Sequence, residues 1–131
     1  MTRFLIVAAG GALGAVARYG VGVWALRLFP TVQWPWATLT VNVVGGLLMG
    51  LLTGWLAFRG GVHGESLRLF AAVGVLGGFT TFSAFSLEAA LMIERRQLAM
   101  AGGYVAASVV LSIAALFLGL MVARRAFGAA L

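Results

Sequence analysis

Hydrophobic side chains make up 63% of this 131-residue chain and charged ones 9%, a balance that excludes a water-soluble domain, because so small a chain cannot bury that much apolar surface. The net charge of +6 comes from arginines that sit mainly at the ends of apolar stretches and never more than two together, which points to a membrane surface and not to a nucleic acid. No cysteine is present, which excludes disulfides, thiolate catalysis and cysteine metal sites, and the single His63 lies in a Gly-rich connection as a solvated loop residue.

A transmembrane helix needs about 20 apolar residues, and four such blocks follow one another at about residues 4–28, 36–58, 67–93 and 98–123. The first begins behind Arg3 like a signal peptide, but no polar mature domain follows it, so it reads as an uncleaved helix. The expectation is an all-α membrane protein, a single transmembrane domain over residues 1–131 in contact with the lipid bilayer. Its connections are too short for a soluble domain, so function must reside within the membrane. Trp24, Phe29, Trp34 and Trp36 mark one membrane interface, and Trp55 and Phe58 the other.

Four spans put both ends of the chain on one side. Arg3, Arg59, Arg68, Arg124 and Arg125 fall there, against Arg27, Arg95 and Arg96 opposite. So small an excess of positive charge sets orientation weakly: either one orientation is modestly preferred, or mutually inverted copies insert. Glycines recur at four-residue spacing, at Gly10 and Gly14, at Gly46, Gly50 and Gly54, and at Gly74 and Gly78. That spacing lets helix backbones approach closely.

Polar side chains are costly in a bilayer and tend to face a cavity or a partner. Thr38 and Asn42, four apart on the second block, share a face. Tyr104, Ser108 and Ser112 recur every four residues on the fourth and form a ladder of hydroxyls. Each Ser or Thr can also be satisfied by a carbonyl of its own helix, but matching stripes on two helices point to a polar pathway.

The third block is the least regular. As one helix, the 27 residues from Leu67 to Ile93 would extend about 40 Å, beyond the roughly 30 Å hydrocarbon core. Gly77, Gly78, Thr80 and Thr81 in its middle are weak helix formers, which predicts a break near 77–80. Non-helical backbone at that depth must be buried in protein or line a cavity, where its freed carbonyls can coordinate a cation. Phe82 and Phe85 share a face just beyond; they are either packing residues or rings whose positive edges meet an anion. Arg18 and Glu88 are the two charges well inside spans: an anion attractor and a polar vestibule residue, or equally an ion pair or interfacial anchors.

These residues resemble the Fluc (CrcB) fluoride channels. The likeness lies in Gly11-Ala12-Leu13-Gly14-Ala15-Val16-Ala17-Arg18-Tyr19, in Thr38-Leu39-Thr40-Val41-Asn42, and in Gly77-Gly78-Phe79-Thr80-Thr81-Phe82-Ser83-Ala84-Phe85-Ser86. It covers three helices in order, and the last motif is specific. The resemblance implies a dual-topology homodimer of inverted, antiparallel copies, with two fluoride pores along the interface. It also implies a structural sodium ion held by backbone carbonyls, here those of Gly77 and Thr80. Phe82 and Phe85 match the phenylalanines lining each pore, Asn42 the pore asparagine, and Tyr104, Ser108 and Ser112 the polar track. Arg18 matches the motif arginine near the vestibule, and Glu88 lies where the family often has an acidic residue. The family often has threonine where this chain has Ala84, so a hydroxyl is missing there, with Ser83 beside it available.

Passive fluoride conduction is thus the expected function, and fluoride, a second copy and lipid are the expected partners. A small proton-coupled multidrug or cation antiporter is the alternative. It would need a membrane-embedded carboxylate, and Glu88 is the only one inside a span. A packing subunit would leave the polar stripe unexplained, and no nucleophile, base and acid are grouped as in an enzyme.

Overall fold

The structure, a computed structural model, describes residues 1–128. Helix α1 spans Thr2–Leu28 and α2 Trp36–Arg59. Helix α3 runs through three consecutive segments, Gly64–Leu67, Arg68–Leu76 and Gly77–Phe79. After a two-residue interruption come α4, Phe82–Glu94, and α5, Leu98–Phe127. Four runs are long and apolar enough to cross a membrane: α1, α2, the interrupted run Gly64–Glu94, and α5. Helix α5 continues past Ala123 through Arg124 and Arg125. An apolar run ends at its first charge, whereas the hydrogen-bond ladder does not, and arginine in a last turn complements the helix dipole.

Two close helix pairs organise the fold, α1 with α3 and α2 with α5. Small residues set both. A Cβ at Gly74 would stand 2.9 Å from the Gly10 Cα, and one at Gly78 would stand 2.5 Å from the Gly11 carbonyl oxygen. On the other pair, a Cβ at Gly46 would stand 2.7 Å from the Ser112 carbonyl oxygen, while Gly50 faces Leu116 and Gly119 faces Leu47. Between apolar helices in lipid, such backbone approach gives the dispersion contact that the hydrophobic effect cannot. Along its contact with α1, Arg68–Leu76 is wound as a π-helix, a rare and wider turn associated with functional sites.

Leu39, Phe85, Ala89, Met92, Ala101 and Tyr104 form a buried cluster that joins α2, α4 and α5. Trp34, in the α1–α2 connection, meets Tyr104 edge to face with ring centroids 5.7 Å apart. The Gln97 side-chain amide donates to the Gln33 Oε1 at 2.9 Å, tying that connection to the turn between α4 and α5. This turn is a Schellman motif: Arg96 takes a positive φ of 59°, its N–H donates to the Ile93 carbonyl, and Gln97 N–H donates to the Met92 carbonyl. In each candidate span the most apolar stretch is only 11–22% buried. Surfaces so apolar require lipid or another protein against them.

Candidate functional site

The interruption falls at Thr80 (φ −81°, ψ 158°) and Thr81 (φ −153°, ψ 118°), on the threonines of the motif rather than its glycines. Gly77 keeps helical angles (φ −62°, ψ −38°), and the missing side chain of Gly78 admits α1, with the Gly11 carbonyl in the way of any Cβ. Thr80 ends α3 by donating both its N–H (3.0 Å) and its hydroxyl (2.8 Å) to the Leu76 carbonyl. Thr81 starts α4: its Oγ1 accepts from the Ala84 N–H at 3.1 Å, the bond of a helix N-cap.

Asn42 holds the break open. Its Oδ1 accepts from the Thr81 N–H at 2.8 Å, and its Nδ2 donates to the Thr81 carbonyl at 2.9 Å. The consequence for the main chain follows from helix geometry. In a continuous helix the Thr81 N–H would bond the Gly77 carbonyl and the Ala84 N–H would bond the Thr80 carbonyl. Asn42 takes the first donor and the Thr81 hydroxyl the second. The carbonyls of Gly77 and Thr80 are thereby released from those bonds. Between them, the Gly78 carbonyl accepts from Arg18 Nε at 3.1 Å. Neutral carbonyl oxygens freed at a helix break suit a hard cation. Among the described residues no three His, Cys, Asp or Glu side chains gather to hold one.

A groove of about 410 Å³ lies beside the break, lined by Asn42, Thr81, Phe82 and Phe85 together with Ser108 and Ser112 of α5. The hydroxyls of Ser108 and Ser112 are buried and have no hydrogen-bond partner, a costly condition that marks a place for an acceptor. The Phe82 and Phe85 rings lie 5.4 Å apart, tilted by 48°. Phe85 is 8% exposed and packs against Tyr104, whereas Phe82 is 77% exposed. Ser83 Oγ lies outside the groove, exposed, 3.2 Å from the Thr81 hydroxyl.

Tyr104 begins the hydroxyl ladder but is committed elsewhere. Its OH donates to Glu88 Oε2 and the Thr38 hydroxyl donates to Glu88 Oε1, each at 2.6 Å. Glu88 and Arg18 form no ion pair with each other, since Arg18 reaches the back of the break from α1. The structure therefore brings Asn42, Phe82, Phe85, Ser108 and Ser112 to one groove, gathers Thr38, Tyr104 and Glu88 into a second cluster, and sets Arg18 and Ser83 apart from both. Sequence reasoning named Thr81 only as a weak helix former, not as a helix cap, and did not single out Gly45. A threonine directly before an apolar run is an N-cap signal, whereas Gly45 is legible only in three dimensions, where a Cβ would collide with the Thr80 methyl.

Four apolar spans, one of them interrupted beside a groove of buried, unsatisfied hydroxyls, define a multi-pass membrane protein whose site lies at the depth of the bilayer. Residues 5–120 match the family described as CrcB-like protein, Camphor Resistance (CrcB), and the chain belongs to this family. It is 65% identical to the fluoride-specific ion channel FluC of Caulobacter sp. (strain K31) over 127 residues, 97% of this chain and 98% of that relative. The proteins of the same name from Caulobacter vibrioides (strain NA1000 / CB15N) and Phenylobacterium zucineum (strain HLK1) are 61% and 59% identical, each over 97% of this chain and 99% of the relative.

Proposed function

We infer that this chain is a fluoride-specific ion channel which, in a bacterium, lies in the inner membrane and lets fluoride leave the cell down its gradient, giving fluoride resistance. The observation that carries this reading is near-full-length identity of 59–65% to relatives that bear that name. A channel of this kind catalyses no reaction; it replaces the hydration shell of the ion. Fluoride is small and strongly hydrated, so its path must offer hydrogen-bond donors without a fixed charge that would trap it. The unpaired Ser108 and Ser112 hydroxyls are two such donors. Asn42 keeps a second Nδ2–H beyond the one given to Thr81. The positive edges of Phe82 and Phe85 supply weak attraction in the same groove.

The working form in this reading is a homodimer of inverted copies. Its supports are the small arginine bias, the apolar faces left uncovered by a single chain, and the exposure of Phe82 beside the groove. A structural sodium ion fits the Gly77 and Thr80 carbonyls, two oxygens from each copy, and would supply a fixed positive charge that stabilises the interrupted backbone. Proton-coupled antiport would instead require Glu88 to exchange protons, and both of its oxygens are engaged by hydroxyl donors from Thr38 and Tyr104.

Liposomes loaded with fluoride test the function. Efflux should exceed chloride efflux by orders of magnitude and be indifferent to an imposed proton gradient. Drug-dependent proton movement without fluoride efflux would instead establish the antiporter.

A further inference from the structure

Away from the groove, a second pocket of about 240 Å³ lies between the end of α1, the α1–α2 connection and α4. Phe29, Trp34 and Trp36 line it, with Glu88. The three aromatic rings adjoin in series: Phe29 and Trp36 have centroids 5.9 Å apart, and Trp36 and Trp34 6.1 Å. No arginine, lysine or histidine is among the lining residues. Glu88 accepts hydroxyl hydrogens at both oxygens, yet among the described residues the one ion pair is Glu65 with Arg68. A carboxylate within a membrane span normally has a countercharge. Here the described residues supply none at ion-pair distance, and three electron-rich rings are among those that line the space beside it.

We propose that this pocket is a binding site for a quaternary ammonium group, with Glu88 as its countercharge and Phe29, Trp34 and Trp36 as its aromatic wall. Aromatic enclosure combined with an anionic group is the arrangement that recognises such ions, because a weakly hydrated organic cation gives up little water and gains from the ring quadrupoles. A bare metal ion is a poorer match, since it would need several oxygen ligands and the pocket is far larger than such an ion. Trp34 and Trp36 belong to the aromatic belt at a membrane interface, the depth of lipid headgroups. The ammonium group can therefore arrive on a choline-type headgroup or on a free cation. Through Glu88 the site also touches Tyr104, the first hydroxyl of the ladder.

The test uses the full chain in vesicles of phosphatidylethanolamine and phosphatidylglycerol, with tryptophan fluorescence followed during titration with tetramethylammonium chloride against sodium chloride at equal ionic strength. A saturable change specific to tetramethylammonium is expected. Glu88→Gln and Trp36→Leu should each weaken it at least about tenfold, with Trp34 still present as reporter. Trp36 is 42% exposed, so its replacement should cost less stability than that of a buried core residue, and an unchanged melting temperature checks this. Trp24→Leu, outside the pocket, should leave the apparent affinity unchanged. No saturable response in the wild type, or equal affinity in the wild type and both pocket variants, would overturn the site. Adding phosphatidylcholine to the vesicles separates the sources: competition with tetramethylammonium supports the site with a lipid headgroup as occupant, and unchanged affinity supports it with a free cation. Binding is read without fluoride, so its failure leaves the channel reading untouched.

Discussion

Asn42→Leu removes the two hydrogen bonds that hold Thr81 out of the helix while keeping the branched side-chain skeleton. At about 1 kcal/mol each, the pair favours the interrupted backbone by about 2 kcal/mol. At the average of about 0.6 kcal/mol measured for side-chain hydrogen bonds in a membrane protein, it contributes about 1.2 kcal/mol. Losing it shifts the balance toward a continuous helix by between about sevenfold and about thirtyfold. In that helix the Thr81 N–H returns to the Gly77 carbonyl. Initial fluoride efflux from liposomes should fall, by at most the same range, because the interrupted fraction drops by the full factor only where the continuous helix already dominates. Asn42 also faces the groove, so efflux alone does not separate a lost donor from a healed break. Hydrogen exchange at the Thr81 amide does, because without Asn42 this N–H is left unprotected if the break persists and is protected by the Gly77 carbonyl if the helix closes. A Thr81 amide that exchanges freely in the variant would refute the assignment of Asn42 as the residue that props the break open, since the break would then persist without it.

Other expectations follow from the same geometry. Ser108→Ala and Ser112→Ala each delete a buried hydroxyl that has no partner, so thermal stability should hold or rise slightly while fluoride efflux drops about tenfold or more; a loss of stability with normal efflux would make them structural. Phe82→Ile and Phe85→Ile should both suppress efflux, but only the buried Phe85 should also lower the melting temperature, by roughly 1–3 kcal/mol of stability; unchanged efflux in both would remove the aromatic edges from the path. Gly50→Leu drives a side chain into the Leu116 backbone and should abolish stable protein, whereas Gly102→Leu, with open space around it, should accumulate normally. Replacing sodium by a large organic cation during purification should weaken the assembly and lower activity, with recovery on readdition; full activity after prolonged sodium depletion would argue against the structural ion.

The spans were legible because a bilayer imposes length and apolarity directly on sequence, and the glycine spacings named surfaces that do pack, Gly10 against Gly74, Gly14 against Val75 and Phe79, and Gly78 against Gly11. The break was legible to within a residue or two, but which residues of the motif leave the helix was not. Propensity weighed Gly77 and Gly78 with Thr80 and Thr81, whereas tertiary contacts decide: α1 keeps the glycines helical, and Asn42, 39 positions earlier in the chain, captures Thr81. The π-helix at Arg68–Leu76 has no signature in an apolar sequence, since the same residues would serve an α-helix. Glu88 and Arg18 read equally well as a mutual ion pair; only the packing of α2 and α5 around α4 shows Glu88 bound to Thr38 and Tyr104 instead.

The reversal potential of the reconstituted protein in a planar bilayer, with fluoride on one side and chloride on the other, tests the central claim most directly. A selective fluoride pathway predicts a large potential of the sign set by fluoride diffusion, unmoved by a pH difference across the membrane. A potential near zero, or one that follows the proton gradient, would contradict it.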